Sequence, residues 1–265
     1  MKVFLYFVKG QSSQPAIEGA TKMTEDERGH SIFSRCFAEM IAVLIFVYVG
    51  STQAFSHSSD PVLHAAFAHG AAIFVLVATF GGLSGGHVNP AVTLGITLVG
   101  KLSPVHAVCY VCSQLVGSVL GALLVRISLD NVAYEGITAG ATVLSSGVSW
   151  YHGLTAEVMT TYILVQTVLM TAVDTDKNVL APLAIGFSII IDILAAGSLS
   201  GASMNPARSF GPNVIGQLFL SPHHLDQVPA FWSYHWIYYI GPALGAFLAA
   251  GVYRVFFARD FRVLA

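Results

Sequence analysis

The sequence predicts an all-α membrane protein: six transmembrane helices plus two re-entrant half-helices, arranged as an inverted repeat. Three observations predict it. The 265-residue chain is 55% hydrophobic and 10% charged, with a mean hydropathy of +0.70, whereas a soluble domain carries about 25% charged residues. Six apolar runs are long enough to cross a bilayer core, which takes roughly 17–25 helical residues. Asn-Pro-Ala occurs twice, at 89–91 and 205–207, flanked each time by glycine and small residues.

Taken in order, residues 1–31 read as a polar tail. Its opening Met-Lys-Val-Phe-Leu-Tyr-Phe-Val-Lys has too short an apolar run for a secretory signal. The first repeat is expected over 32–128, with spans near 32–50, 62–80 and 104–127. A connecting loop over 129–150 leads to the second repeat over 151–257, with spans near 151–173, 180–197 and 234–257. A short tail, 258–265, follows. In each repeat a shorter helix starts between the second and third spans, at Asn89 and at Asn205. Asn is a favoured N-cap and Pro suits the first helical position. Residues 89–98 reach roughly 15 Å at 1.5 Å per residue, half of a hydrocarbon core of about 30 Å. Half-helices of this kind are allowed where protein rather than lipid surrounds their ends. The small residues at 84–86 and 200–203 suit loops that must pack tightly and present carbonyls.

The basic residues set the expected topology. Of the 12 Lys and Arg, Lys2, Lys9, Lys22, Arg28, Arg35, Lys101, Lys177, Arg254, Arg259 and Arg262 fall on one side, and Arg126 alone in a loop of the other. Arg208 lies just inside the second half-helix. The rich side is the cytoplasmic one by the positive-inside bias, with both termini there. Glu39 stands 50 residues before Asn89 and Glu157 stands 48 before Asn205. Gln-Leu-Val-Gly-Ser-Val-Leu-Gly-Ala at 114–122 answers Tyr-Ile-Gly-Pro-Ala-Leu-Gly-Ala at 239–246. Each half holds three full spans, so the second copy enters the membrane upside down. The positive N-termini of the half-helices then meet near the midplane. Gly117-x-x-x-Gly121 and Gly241-x-x-x-Gly245 mark close helix crossings.

As N-caps, Asn89 and Asn205 turn their side-chain oxygens to their own helices, which leaves both NH2 groups to face the lumen as donors. Pro90, Ala91, Pro206 and Ala207 complete the two starts. Two donors and two positive helix ends at one point repel cations. A file of water that must point its oxygens at both Asn loses the donor–acceptor continuity proton hopping needs. Arg208 adds a fixed positive charge within the membrane, a costly placement that marks a pathway by default.

The six spans, the paired half-helices, Glu39 and Glu157, and Asn-Pro-Ala-Arg at 205–208 resemble the aquaporin (major intrinsic protein) family from about Phe33 to Phe257. Ala-His-Gly at 68–70, Ser-Gly-Gly-His-Val-Asn-Pro-Ala-Val at 84–92, Asp-Ile-Leu-Ala at 192–195 and His-Trp-Ile-Tyr-Tyr at 235–239 are similar to its aquaporin-8, or aquaammoniaporin, branch. The resemblance implies a passive channel for water and small neutral solutes, ammonia and hydrogen peroxide among them. It implies an outer filter at His69, Ile193, Ala202 and Arg208. It also gives Glu39 and Glu157 as hydrogen-bond supports of the half-helix loops, and a homotetramer. The strictly water-selective pattern resembles Phe, His, Cys and Arg at the four filter places. Here the filter is expected to be somewhat wider and half apolar. No aromatic wedge is present, and Ser209 stands where the glycerol pattern has Asp. With Ala202 in place of Cys, mercurial block is expected only at Cys36, Cys109 or Cys112. His87, two residues before the first Asn, is grouped with the loop supports, its side chain read either as a gate or as a packing residue, and Asp192 is read as a partner for donors of the filter loop.

Other classes fit less well. A net charge of −2 argues against a nucleic-acid partner. No cofactor or metal is expected: Cys109-x-x-Cys112 has no second pair, and no His-x-x-x-His or His-Glu-x-x-His motif occurs. Gly82-Leu-Ser-Gly-Gly86 matches a nucleophile elbow only formally, since no strand precedes it. The alternative retained is a structural or closed membrane protein of little permeability. Without an Asn-x-Ser/Thr sequon, glycosylation is not expected. The plasma membrane is the default location, with internal membranes as the other.

Overall fold

The structure, a computed structural model, describes residues 29–56, 58–174, 178–228 and 230–259. The expected tail before His30 and most of the second tail lie outside them. Helix α1 spans Ile32–Thr52, α2 Pro61–Phe80, α3 Pro90–Leu98 and α4 Pro104–Ser128. The second half holds α6 at Trp150–Val168, α7 at Ala181–Ser200, α8 at Pro206–Phe219 and α11 at Ile237–Val252. Helices α6 and α11 each run on through one wider π turn, Leu169–Val173 and Tyr253–Phe257. Six helical stretches are long and apolar enough to cross a membrane.

The starts follow capping chemistry. Ser31, Asp60 and Ser103 accept from Ser34, Leu63 and His106 N–H, and Pro61 and Pro104 occupy the first helical turn, where a missing N–H costs nothing. Gly201, at φ 83°, ends α7 in the left-handed conformation that glycine adopts most readily. Half-helix α3 has 9 residues, but α8 has 14, about 21 Å and well over half the core. The connecting loop and the segment between α8 and α11 carry three short helices: α5 at Asn131–Gly136, α9 at Pro222–Gln227 and α10 at Ala230–Ser233. Asp130 and Ser221 cap the first two. They are too short to show an amphipathic period in sequence. Ser221 N–H also donates to Glu135 at 3.2 Å, tying α9 to α5, and hydrogen bonds from Ser221 hold the Glu135 carboxyl below its ordinary value.

The packing repeats about a two-fold relation. Helix α1 lies on α4, α6 lies on α11, and α2 meets α7 between the halves. Half-helix α3 packs chiefly against α11 and α8 against α4, so each half-helix is embedded in the other repeat. Glycine makes these three crossings close. A Cβ on Gly117 would strike the Met40 carbonyl oxygen, and one on Gly121 would come 2.6 Å from that of Leu44. On the other side a Cβ on Gly245 would lie 2.6 Å from the Val158 carbonyl oxygen. At the α2–α7 crossing the relation is mutual: a Cβ on Gly70 meets the Gly186 carbonyl oxygen at 2.6 Å, and one on Gly186 meets that of Gly70 at 2.6 Å. Outward-facing Phe67, Phe74, Phe187, Ile191, Leu194 and Phe247 are exposed, an apolar surface suited to lipid rather than water.

Gly117→Val is therefore expected to destabilise the protein by at least about 1–3 kcal/mol, the range for overpacking. Gly251→Ala, where an added Cβ meets nothing within 4 Å, is expected to leave the melting temperature in detergent unchanged or raised. Thermal unfolding of the two purified variants side by side measures the difference.

Candidate functional site: a central constriction and an outer filter

Two loops, residues 84–89 and 200–205, drop into the middle of the bundle and turn into α3 and α8. Two carboxylates organise them. Glu39, on α1, accepts from the Ser84 hydroxyl at 2.5 Å, from His87 N–H at 3.0 Å and from Val88 N–H at 2.8 Å. Glu157, on α6, accepts from the Ser200 hydroxyl at 2.7 Å and from Ser203 and Met204 N–H at 2.8 Å each. Both are fully buried. Ser84 and Ser200 in turn accept from Gly86 and Ala202 N–H, each at 3.1 Å. Tyr110 and Tyr238 hydroxyls donate to the Ser84 and Ser200 carbonyls at 2.8 and 2.7 Å. The supports of the two loops match almost atom for atom.

These clamps hold a costly backbone. Val88 and Met204 both lie at φ 54°, a conformation rare for a side-chain-bearing residue and rarest for a β-branched one. It swings each carbonyl toward the opposite loop. Asn89 Nδ2 donates to the Met204 carbonyl at 2.8 Å, and Asn205 Nδ2 donates to the Val88 carbonyl at 2.8 Å. The side-chain oxygens do cap their own helices: Asn89 Oδ1 accepts from Ala91 N–H at 2.8 Å, and Asn205 Oδ1 from Ala207 and Arg208 N–H at 3.0 and 3.2 Å. The sequence expectation that each NH2 is wholly free for the lumen is thus corrected. One N–H of each amide is spent across the two-fold, which fixes the direction of the other. Pro90 and Pro206 stand in the first helical turns, and Ala91 and Ala207 are buried beside them.

On one side of this constriction a cavity of about 250 Å³ opens, lined by Phe46, His69, Ile193, Ala202, Thr142 and Arg208 among others. All four residues that the family resemblance gave as a filter therefore share one cavity wall. Arg208 is held on every nitrogen. Its Nε donates to His69 Nε2 at 3.4 Å, one terminal nitrogen donates to the Gly140 carbonyl at 2.8 Å and to the Thr142 hydroxyl at 3.3 Å, and the other donates to the Gly50 carbonyl at 3.4 Å. Among the described residues no carboxylate pairs with it, so its charge is met by carbonyl dipoles and not cancelled. His69 Nδ1 lies 2.8 Å from the Ala65 carbonyl. A carbonyl only accepts, so Nδ1 carries the hydrogen and the single lone pair of Nε2 accepts from Arg208. Phe46 meets the imidazole edge-on at 5.6 Å. Ile193 and Ala202 add only hydrocarbon.

Other expectations meet mixed outcomes. Asp192 does not serve the filter loop. Both its oxygens are buried and make no hydrogen bond among the described residues, because Glu157 already takes the loop's N–H groups. The His87 side chain is buried, with Nδ1 3.0 Å from the Thr93 hydroxyl and its ring edge-on to Tyr110 at 5.2 Å. Cys36, Cys109 and Cys112 are free thiols. Among the described residues no three His, Cys, Asp or Glu gather to hold a metal. Sequence reasoning missed Gly50, Gly140 and Thr142, the partners of Arg208, and Val88 and Met204, the partners of the asparagines. No local motif marks the first three; the last two could have been found from their place just before each Asn.

The family model described as Major intrinsic protein matches residues 27–253. The chain is 44% identical over 232 residues to the probable aquaporin TIP1-2 of Oryza sativa subsp. japonica, covering 83% of this chain and 85% of that protein. It is 36% identical over 244 residues to aquaporin-8 of Rattus norvegicus, covering 89% and 88%. In fold it is similar to the solved aquaglyceroporin of Plasmodium falciparum, with a TM-score of 0.70 at 21% identity over 84% of this chain and 96% of that one. Six apolar helices, two opposed half-helices and these relatives together place the chain in the major intrinsic protein family, as an integral multi-pass channel for water and small solutes.

Proposed function

We propose that the pore conducts water and ammonia, and hydrogen peroxide with them, and excludes ions and protons. The observation that carries this reading is the make-up of the outer cavity: one fixed cation, one imidazole lone pair and two hydrocarbon walls. A neutral solute needs a donor for its lone pair and an acceptor for one N–H or O–H. Arg208 and the remaining Asn N–H groups supply the first, and His69 Nε2 supplies the second when a solute displaces its long 3.4 Å bond from Arg208. Ile193 and Ala202 ask nothing further of it, which suits ammonia and peroxide as well as water. A cation meets Arg208 without a carboxylate beside it, then two helix N-termini. At Asn89 and Asn205 the inward N–H groups take the oxygens of successive waters, and a proton relay loses its acceptors there. We also assign Glu39 and Glu157 the support of the two loops, and Asn89 and Asn205 the central constriction. The basic bias supports cytoplasmic termini; a plasma-membrane location and a tetramer of four separate pores remain part of this proposal.

Purified protein in proteoliposomes tests the permeants. Osmotic shrinkage should accelerate well above lipid alone, and an inward ammonium gradient should alkalinise the lumen faster than in empty vesicles. Water flux with ammonia flux at the lipid level would defeat the ammonia claim. Arg208→Ala is expected to admit a cation leak, read as dissipation of an imposed ion gradient. Ala202→Cys is expected to confer a mercurial block of water flux that a reducing thiol reverses, since residue 202 lines the cavity. Glu157→Ala leaves Ser203 and Met204 N–H buried and unpaired, at about 1–3 kcal/mol each; we expect a lower melting temperature and lost water flux per folded channel, with Glu157→Gln intermediate.

A further inference from the structure

We infer that Gly50 is a positioning residue of the filter: its missing side chain seats the His69 imidazole, and its carbonyl receives Arg208. The inference rests on the reading of His69 and Arg208 as filter residues. An added Cβ on Gly50 would lie 2.5 Å from His69 Nε2, 2.9 Å from Cδ2 and 3.3 Å from Cε1, so the Nε2 edge of the ring lies against the glycine. The ring has little room to withdraw, because Nδ1 is tied to the Ala65 carbonyl at 2.8 Å and Phe46 closes one edge. The open direction is the cavity it lines, toward Ile193 and Ala202. Gly50 also sits in the last turn of α1, Ile32–Thr52, where carbonyls have no partner four residues on. That is why its oxygen can accept from Arg208 at 3.4 Å. The negative end of the α1 dipole faces the guanidinium there.

The neighbouring residue extends the seat. Ser51 is fully buried against Gly140, and a Cβ on Gly140 would collide with the Ser51 side chain. Thr138, Ala139 and Gly140 run at φ 49°, 58° and 69°, three left-handed residues in succession, and the Gly140 carbonyl takes Arg208 at 2.8 Å. The end of α1 thus sets the place of both filter side chains. Gly50 itself is not among the left-handed residues. Alanine would therefore suit its backbone and is the better helix former, so a loss in Gly50→Ala reports the ring contact and not helix strain.

The test compares wild type, Gly50→Ala, His69→Ala and Gly50→Ala/His69→Ala in proteoliposomes at equal channel density. Water permeability is measured by light scattering, and ammonia and urea flux beside it. In Gly50→Ala the ring is pushed into the lumen, and water permeability is expected to fall about tenfold, the effect of a modest rise in barrier. The double variant is expected to recover the permeability and solute ratios of His69→Ala, a rescue that a general structural defect would not give. A double variant as impaired as Gly50→Ala, or a Gly50→Ala as permeable as wild type, overturns the inference. His69→Ala with wild-type solute ratios overturns the underlying filter reading instead. Should Gly50→Ala fail to fold, the double variant decides: folded with His69→Ala behaviour supports the inference, and unfolded overturns it.

Discussion

Peptide N–H groups inside a membrane must find partners within the protein, since no water or lipid tail will supply them. Most of the chain meets that demand by being helical. The two loops that enter the bundle cannot, and there two buried carboxylates, Glu39 and Glu157, take two consecutive N–H groups and one serine hydroxyl each. Each carboxylate is compensated by donors rather than by a counter-ion, a tolerable way to hold a charge in a low-dielectric interior. The rest of the pore depends on this arrangement, because only a clamped loop can keep Val88 and Met204 in a left-handed conformation.

From that conformation the central constriction follows. The turned carbonyls of Val88 and Met204 reach across to the opposing asparagines, so each half of the protein completes the other. The two Asn side chains are locked at both ends, by their own helix and by the facing loop. A single half could not build the site, and the shared embedding of α3 and α8 in the opposite repeats gives the same dependence at the level of packing. The glycines at the crossings allow the helices to come close enough for these hydrogen bonds to close.

The outer filter breaks the symmetry. The residue that follows Asn-Pro-Ala is Val92 in the first copy, buried in the core, and Arg208 in the second. Only the second half-helix therefore carries a charge directly after its Asn-Pro-Ala. Arg208 is surrounded by carbonyls at the end of α1 and in the left-handed turn before Thr142, and by the one imidazole whose tautomer is set by Ala65. The surroundings orient the guanidinium, and among the described residues no carboxylate cancels its charge.

By itself the sequence determined the spans, the two capped half-helices and the repeat, because hydropathy, Asn-Pro caps and glycine spacing act over a few residues, and the family resemblance picked out four residues that share one cavity wall. The span limits differ only at the ends: α1 runs past Gly50 to Thr52, and α6 and α11 finish in π turns. The tertiary structure decided the rest. It spent one N–H of each Asn amide across contacts 115 and 117 residues apart, and it left Asp192 without the role expected of it. It also chose Gly50 and Gly140 as the holders of Arg208, 158 and 68 residues away in sequence. Those partners are backbone carbonyls, which every residue possesses; which of them meets the arginine depends on where the helix ends fall in space, and no residue type announces it.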